Sequence, residues 1–337
     1  MANVFISPRD FWKLLHKIAD RHLGPAELAF LRAINVTVDE IDQAMLLSGL
    51  AARNVDLVFL AINLGGQLEP AIREDFARIL GATFREAGVA TSTLEATGTL
   101  RFDLTNPEAI RWAQREAGAL VQQVSLSVRQ SVRDTVFRGF NEGRTPTWMA
   151  KEIRQVIGLT RKQTQAVHNF ERLLREGKAE VLTRALRDHR FDPTISKAIE
   201  SGEGLTEAQI DRMTKRYAER MLRYRADMIA ANETIKASSA GQDELWRQAV
   251  AEGYLDKGRT REIWIPTPDE KTCSICLAIP RMNPDGVLLG GMFQSPVGPV
   301  RRPGDPHVRC RCGKSLLVDQ GRGFQVPQFV RQMAEAA

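Results

Sequence analysis

Cysteine and aromatic residues are scarce along most of this chain. All four cysteines lie between positions 273 and 312 of the 337 residues, so thiol chemistry is confined to that one segment. Aromatic residues make up only 7% of the chain, whereas many segments are rich in Ala, Leu, Arg, Glu and Gln, which favour helix over sheet. This composition predicts a mainly α-helical protein.

Long apolar runs and targeting signals are also absent. The charge-free run LVFLAINLGGQL, between Asp56 and Glu69, is too short to span a bilayer. The N-terminal stretch has charges scattered among its apolar residues and no small-residue cleavage site, so we expect no secretory signal. We therefore expect no membrane partner and a cytosolic environment, in which disulfides are disfavoured. Free thiols grouped at close spacing then suggest a metal site.

The motifs of several metal- and nucleotide-dependent enzymes are missing. The chain contains neither H-E-x-x-H nor G-x-x-x-x-G-K-[ST]. Zinc deaminases need H-x-E ahead of P-C-x-x-C, whereas here His307 follows the C-x-x-C pair. Each of the other histidines is isolated in a segment predicted to be helical, and we expect these to be surface or core residues: His16, His22, His168 and His189. We expect no catalytic residues and a protein that is not an enzyme.

Helix start signals recur through the first two-thirds of the chain. Ser7–Pro8 and Asn106–Pro107 each place a capping residue before a proline at the first helical position. Thr160–Gln163 and Thr206–Gln209 both fit the capping box. Residues 1–250 are therefore predicted to form a succession of helices joined by short turns.

Positive charge is concentrated on and before one amphipathic helix. Residues 160–226 contain 15 Lys and Arg against 10 Asp and Glu, which accounts for nearly all of the net charge of +6. An apolar stripe predicts the buried face of the helix: Ile210, Met213, Tyr217, Met221, Tyr224 and Met228. A second line lies beside it: Arg212, Arg216, Arg220 and Arg223. These arginines fit either a solvated face paired with acids or a surface that binds the phosphates of double-stranded DNA without sequence preference.

The sequence changes character after about Tyr254. Six prolines and five glycines between Pro280 and Pro306 make helix implausible there. The short runs REIWIPT before the first cysteine and KSLLVDQ after the last are β-prone, and their positions allow them to pair across the base of the cysteine loop. This pattern predicts a small α+β module whose own core is too small, so that a metal stabilises it.

The candidate metal ligands fall into two groups. They are Cys273 and Cys276, then His307, Cys310 and Cys312 after a long loop. Structural zinc takes four such ligands in a closed tetrahedron, which leaves no open position for catalysis. We favour the first four, with Cys312 as the substitute; an all-cysteine site, free buried thiols and a redox pair are the alternatives. Thr267 and Asp269, just upstream, are expected to cap the turn and brace the first pair.

These ligand groups and their neighbours resemble a known family. TPDEKTCSICLAI matches the T-x-D-x-x-T-C-x-x-C motif of the phage Mu F-like minor head, or head morphogenesis, proteins. DPHVRCRC resembles their P-x-H-x-x-C-R-C motif, with Pro306 directly before His307 where the family has one residue between them. The corresponding positions are Thr267, Asp269, Thr272, Cys273, Cys276, Pro306, His307, Cys310, Arg311 and Cys312. A preceding helix is similar at Ala230, Glu233, Thr234, Ala237 and Gly241, with Asn232 where the family has its Arg–Thr lead-in. The resemblance covers about residues 225–320.

The resemblance implies a structural virion component at the portal vertex or capsid interior, present in host cytoplasm during assembly. Its implied partners are portal protein, capsid and scaffold proteins, and packaged double-stranded DNA, with multiple copies per particle. The predicted fold is mainly α, with elongated helical N-terminal and middle regions and a small zinc-stapled α+β C-terminal domain. The predicted regions are 1–105, 106–225 with the basic face, 226–320 with the cysteines, and a tail at 321–337.

Two other functions fit parts of the sequence. A zinc-stapled nuclease would use His307 as its catalytic group, although no second histidine or acid–histidine motif stands close by. A DNA-binding zinc regulator would use the helix pair at Met149–Leu174 as a helix-turn-helix. Such a pair of helices is more commonly a helical hairpin packed in a bundle than a helix-turn-helix.

Overall fold

The computed structural model describes residues 8–94, 101–103, 105–267 and 269–319, and α-helix dominates them. The α-helices within these ranges are α1 Pro8–Asp39, α2 Gln43–Ala51, α3 Val55–Ile62, α4 Leu68–Leu94, α5 Glu108–Asn141, α6 Pro146–Val156, α7 Arg161–Arg175, α8 Asp192–Ser201, α9 Glu207–Ala251 and α10 Ser274–Met282. The strands are β1 Thr260–Ile265, β2 Val287–Leu288 and β3 Gly313–Val318, and short 3-10 helices cover Ala179–Thr183, His189–Phe191 and Lys257–Arg259. The prediction of a mainly α-helical fold is confirmed.

Capping residues identified in the sequence begin two of the helices. At the start of α7, the Gln163 backbone N–H donates to the Thr160 hydroxyl, and the Thr160 N–H donates to the Gln163 side chain. The same reciprocal pair joins Thr206 and Gln209 before α9. Each box satisfies backbone donors that a helix start leaves without an intrahelical partner. Ser7, another predicted cap, lies outside the described residues.

The chain divides into two compact units. The first draws on Met1–Ala26, Asp75–Ala117 and Asp227–Ala337, and the second on Glu27–Glu74 and Gly118–Ala226. Each unit thus combines separate stretches of chain, whereas the four regions predicted from the sequence are consecutive. Those regions stay a prediction.

In the second unit, Val156 of α6 and the buried apolar residues of α7 belong to one core cluster. Gly158 separates the two helices at φ +89°, a conformation that glycine adopts without strain. A Cβ there would lie 2.8 Å from Leu222 and 2.9 Å from Ile34. Phe170 of α7 stacks on Tyr217 of α9 with ring centroids 4.2 Å apart. The apolar residues that recur at helical spacing here are all buried: Met149, Ile153, Val156 and Ile157.

The apolar stripe of α9 is core only in its first half. Ile210, Met213 and Tyr217 are buried as predicted, but Tyr224 is 47% exposed. The core cluster that these residues enter is supplied by α6 to α8 and ends near Met221. Spacing alone therefore overestimated the length of the buried face.

The first unit contains a three-stranded antiparallel sheet in the order β2-β1-β3. β1 pairs with β3 from Thr260↔Val318 to Ile265↔Gly313, so the two runs predicted to close the base of the cysteine loop do so. Trp264 of β1 packs in one buried cluster with Phe293 and with cysteines of the loop. The sheet therefore holds the two ends of the candidate metal site together.

Candidate metal centre and basic helix face

The first cysteine pair lies at the N-terminus of α10. Cys273 is the residue that caps this helix, and Cys276 lies in its first turn. We predicted a tight turn here and no helix from Pro280 onward, but α10 continues through Pro280 to Met282. A proline close to the end of a helix removes only one hydrogen bond. The helix N-terminus favours negative charge, so this position stabilises the thiolates that bind metals.

The second ligand group lies just before β3 and reaches the same place. His307 Nε2 lies 3.1 Å from the Cys273 sulfur and 3.0 Å from the Cys276 sulfur. The Cys276 and Cys310 sulfurs are 3.7 Å apart. Cys276 belongs to two sets of mutually close ligand atoms, one with Cys273 and His307 and one with Cys310 and Cys312. All five predicted ligands therefore converge.

The separation of two of the sulfurs fits a tetrahedral zinc ion. Sulfurs about 2.3 Å from one zinc ion lie about 3.7 Å from each other at the tetrahedral angle, which is the Cys276–Cys310 separation. A sulfur and a nitrogen ligand would be about 3.5 Å apart, so His307 needs to move outward by a few tenths of an ångström. The donor set of thiolates and one imidazole suits zinc.

Backbone contact orients the imidazole of His307. Its Nδ1 lies 2.9 Å from the Val308 carbonyl oxygen, to which an Nδ1–H donates. This assignment leaves Nε2 directed at the sulfurs. Metal-binding histidines commonly have their second nitrogen fixed in this way. His307 is thus pre-oriented as a ligand.

The pKa values of the clustered ligands favour a bound cation. A hydrogen bond to the Cys310 sulfur raises the pKa of His307 to about 9. The hydrogen bond with Cys276 lowers the pKa of Cys310 well below its usual value, while the same contact raises the pKa of Cys276. Closely spaced sulfurs cannot all ionise to thiolates when the imidazolium of His307 is the one positive charge among them. A divalent ion would replace the protons and allow several to ionise together.

Residues around the ligands tie the two motifs to each other. The Thr267 hydroxyl donates to the Arg311 carbonyl, and the Arg311 guanidinium donates to Asp269, with one contact of 2.7 Å. The Thr272 hydroxyl donates to the Thr267 carbonyl at 2.5 Å. Thr267 and Asp269 thus connect the two motifs, whereas the prediction had them brace the first cysteine pair. Their partner Arg311 was missed as a bracing residue; its position between Cys310 and Cys312 was the available signal.

His16 of α1 is a neighbour of the site that sequence reasoning missed. Burial lowers its pKa, while hydrogen bonding with the backbone of Arg311 and Cys312 opposes that effect. No sequence pattern connects α1 with the cysteines, because the separation is nearly the length of the chain. His16 does not belong to either group of close ligand atoms found within the described residues.

The four arginines of the predicted basic line on α9 differ in their surroundings. Arg216 pairs with Asp188 at 3.2 Å and with Glu219 at 2.9 Å. Arg212 is exposed and lies 5.9 Å from the ring centroid of Phe191. Arg220 is half-buried and Arg223 exposed. No ion pair within the described ranges engages Arg212, Arg220 or Arg223, so these three keep their charge available to a partner.

A fifth arginine of α9 has a structural task. Arg225 is buried and donates a 2.5 Å hydrogen bond to the Gly158 carbonyl, which closes the turn between α6 and α7. Burial lowers the pKa of Arg225 to about 10. The guanidinium also lies 5.7 Å from the ring centroid of Phe30. It is therefore not part of the basic face.

Gly241, one of the small residues of α9 that resemble the family helix, allows a close approach by α4. Ala230 and Ala237 are fully buried. A Cβ at Gly241 would overlap the Phe84 carbonyl oxygen and would lie 3.0 Å from the Gly88 nitrogen. The glycine thus permits backbone contact between the two helices within the first unit.

Comparison with protein-family models, curated proteins and solved structures finds no significant match for this chain. Within the described ranges, every helix is too short or too polar to cross a membrane.

Proposed function

We propose that this chain is a structural, non-enzymatic component of a phage virion, a minor head protein of the Mu F-like kind. The observation that carries the proposal is the pair of family-like motifs whose residues contact one another. Thr267 and Asp269 of the first motif bond to Arg311 of the second, and the ligands of both motifs converge. Because residues of both motifs contribute to one compact site, the two motifs are expected to occur together.

Structural zinc completes this proposal. Cys273, Cys276, His307 and Cys310 would hold the ion, and Cys312 is the alternate ligand. Bound zinc would crosslink the N-terminus of α10 to the segment before β3. Zinc binding to small zinc-dependent peptides has an apparent free energy of about 10–16 kcal/mol. A contribution of this size would be enough to stabilise a module whose sheet has three strands.

The proposed partners are portal protein, capsid and scaffold proteins, and packaged double-stranded DNA. The proposed locations are the portal vertex or capsid interior, and host cytoplasm during assembly. Co-expression with the portal protein of the same phage should give a complex in size-exclusion chromatography, and cryo-EM of intact particles should place several copies beside the portal. Separate elution together with absence from purified particles would contradict the assembly role.

The basic face is the proposed DNA contact. Replacing Arg212, Arg216, Arg220 and Arg223 by Gln should weaken binding to double-stranded DNA of any sequence. It should also reduce the slope of log K against log salt by about 0.9 for each phosphate that the variant no longer neutralises.

A control variant with equal charge loss separates this surface from net charge. It replaces four exposed arginines that already pair with acids: Arg78, Arg111, Arg161 and Arg172. Equal loss of DNA affinity in both quadruple variants would show that the α9 face has no special part. Divalent-ion-dependent plasmid cleavage that disappears in a folded His307→Ala variant would favour a nuclease instead.

A further inference from the structure

A cavity of about 380 Å³ lies within the first unit, and none of the five candidate metal ligands lines it. Trp112 of α5 and Phe84 of α4 form an aromatic wall, with ring centroids 5.4 Å apart. The volume falls within the range of about 300–1,000 Å³ typical of small-molecule sites. An aromatic wall of this kind suits a flat ring.

Two adjacent arginines line the cavity beside this wall. The Arg302 guanidinium lies 6.0 Å from the Trp112 ring centroid. The backbone N–H groups of Arg301 and Arg302 each donate to Asp305 at 3.0 Å, which fixes the turn that carries them. Only a long contact of 3.5 Å joins Arg302 to Asp243.

The acids near these arginines are committed to other cations. Both terminal nitrogens of Arg301 donate to Glu262 at 2.6 Å. Glu262 also accepts from the fully buried Lys314 at 2.7 Å. Lys314 donates to Asp243 as well. The charges of Glu262 and Asp243 are thus largely balanced by Arg301 and Lys314, and Arg302 keeps most of its capacity for an anion.

Four other charged residues belong to the lining: Lys257, Glu108, and Glu244 with its ion-pair partner Arg247. Lys257 is exposed and makes no ion pair with any described residue. Glu108 also lines the cavity and holds Arg111 at 2.7 Å, which leaves further carboxylate lone pairs for hydroxyl or amino donors. The cavity therefore offers a ring surface, cations and an acceptor.

We propose that this cavity binds a nucleoside phosphate. The base lies against Trp112, the phosphate is held by Arg302 and Lys257, and Glu108 accepts from a sugar hydroxyl or base amino group. Aromatic stacking accommodates any base, and guanidinium groups match phosphate geometry. A free nucleotide and the terminal nucleotide of a strand share this chemistry.

Isothermal titration of the full chain with AMP, and separately with a 5′-phosphorylated single-stranded oligonucleotide, tests the site. Arg302→Gln and Trp112→Leu should each weaken binding about tenfold. Lys17→Gln, which removes an exposed charge from α1 outside the cavity, should leave binding unchanged. Thermal unfolding of every variant identifies any that fails to fold, and the polar change at Arg302 keeps the test valid if Trp112→Leu does.

Binding of AMP that depends on Arg302 supports the proposal with a free nucleotide as the source. Binding of the oligonucleotide alone, with the same dependence, supports it with a strand end as the source. The proposal is overturned if neither ligand binds at about 1 mM or if Arg302→Gln binds like the parent chain. It is equally overturned if inorganic phosphate binds as tightly as AMP, since stacking on Trp112 would then contribute nothing.

Discussion

Cys276 occupies the centre of the metal site at the scale of single residues. Its sulfur lies 3.0 Å from His307 Nε2 and 3.7 Å from the Cys310 sulfur, and it belongs to both sets of close ligand atoms. Cys312 belongs to one set only. A tetrahedral ion has four positions for these five candidate ligands. Cys276 and Cys312 are therefore not equivalent as ligands, although both are buried.

This inequality gives a matched pair of variants. Cys276→Ser should abolish stoichiometric zinc binding, because it removes a ligand from either possible tetrahedron. Cys312→Ser should retain one zinc per chain, since all four ligands of the favoured set remain. Elemental analysis after exhaustive dialysis distinguishes them. Equal zinc loss in both would show that Cys312 is a required ligand and that the favoured set is wrong.

Glu152 is a buried carboxyl with an unusual pKa. Burial, and then the nearby Glu171, raise its pKa from an ordinary 4.5 to about 7, although Arg138 lies 3.1 Å from each carboxylate. The folded state therefore holds a proton that the unfolded state has lost. Stability should fall as pH rises from about 4.5 to about 7 and then level off.

Glu152→Gln removes this titration and keeps the shape. The free energy of unfolding of the variant, relative to the parent, should increase with pH by up to about 3 kcal/mol between pH 4.5 and pH 8. Urea denaturation across that range measures the difference. A constant difference, or one that shrinks as pH rises, would contradict the raised pKa.

Local signals predicted much at the scale of single elements. The capping boxes at Thr160 and Thr206 start α7 and α9, and the β-prone runs pair as β1 and β3. Each signal works over a few residues, where the chemistry is visible in the sequence. α10 was missed because Pro280 argued against helix, and the length of the α9 core face was overestimated because spacing does not show which helices pack there.

Helix contact at Gly241 gives a prediction at this scale. Gly241→Ala should destabilise the chain by about 1–3 kcal/mol, because its Cβ would overlap the backbone of α4. Gly81→Ala on α4 is the control, since its Cβ would meet only ordinary contacts at 3.6 Å. That change should be neutral or stabilise by up to about 1 kcal/mol through helix propensity. Thermal unfolding compares them; equal effects would contradict the close approach.

Contacts between distant stretches define the whole molecule, and the sequence predicted few of them. The convergence of the two ligand groups followed from metal chemistry, but the approach of His16 to the backbone of Arg311 and Cys312 had no local signal. The compact units likewise combine separate stretches of the chain. Buried pairs such as Glu262 with Lys314 join residues far apart in sequence, and charge patterns do not reveal partners at such distances.

Metal removal should act on one part of the molecule. A zinc chelator should increase amide hydrogen exchange in β1 and β3, because these strands hold the two ends of the cysteine loop. Exchange in α7, which packs in the core of the second unit, should change little. Mass spectrometry of exchanged peptides makes the comparison, and an equal loss of protection in both places would contradict a locally acting staple.

X-ray absorption at the zinc edge of the purified chain tests the convergence of the ligands most directly. We expect one zinc per chain with three sulfurs at about 2.3 Å and one nitrogen at about 2.0 Å. Absence of stoichiometric metal, with a fold that chelators leave unchanged, would contradict the account. So would a zinc ion surrounded only by oxygen ligands.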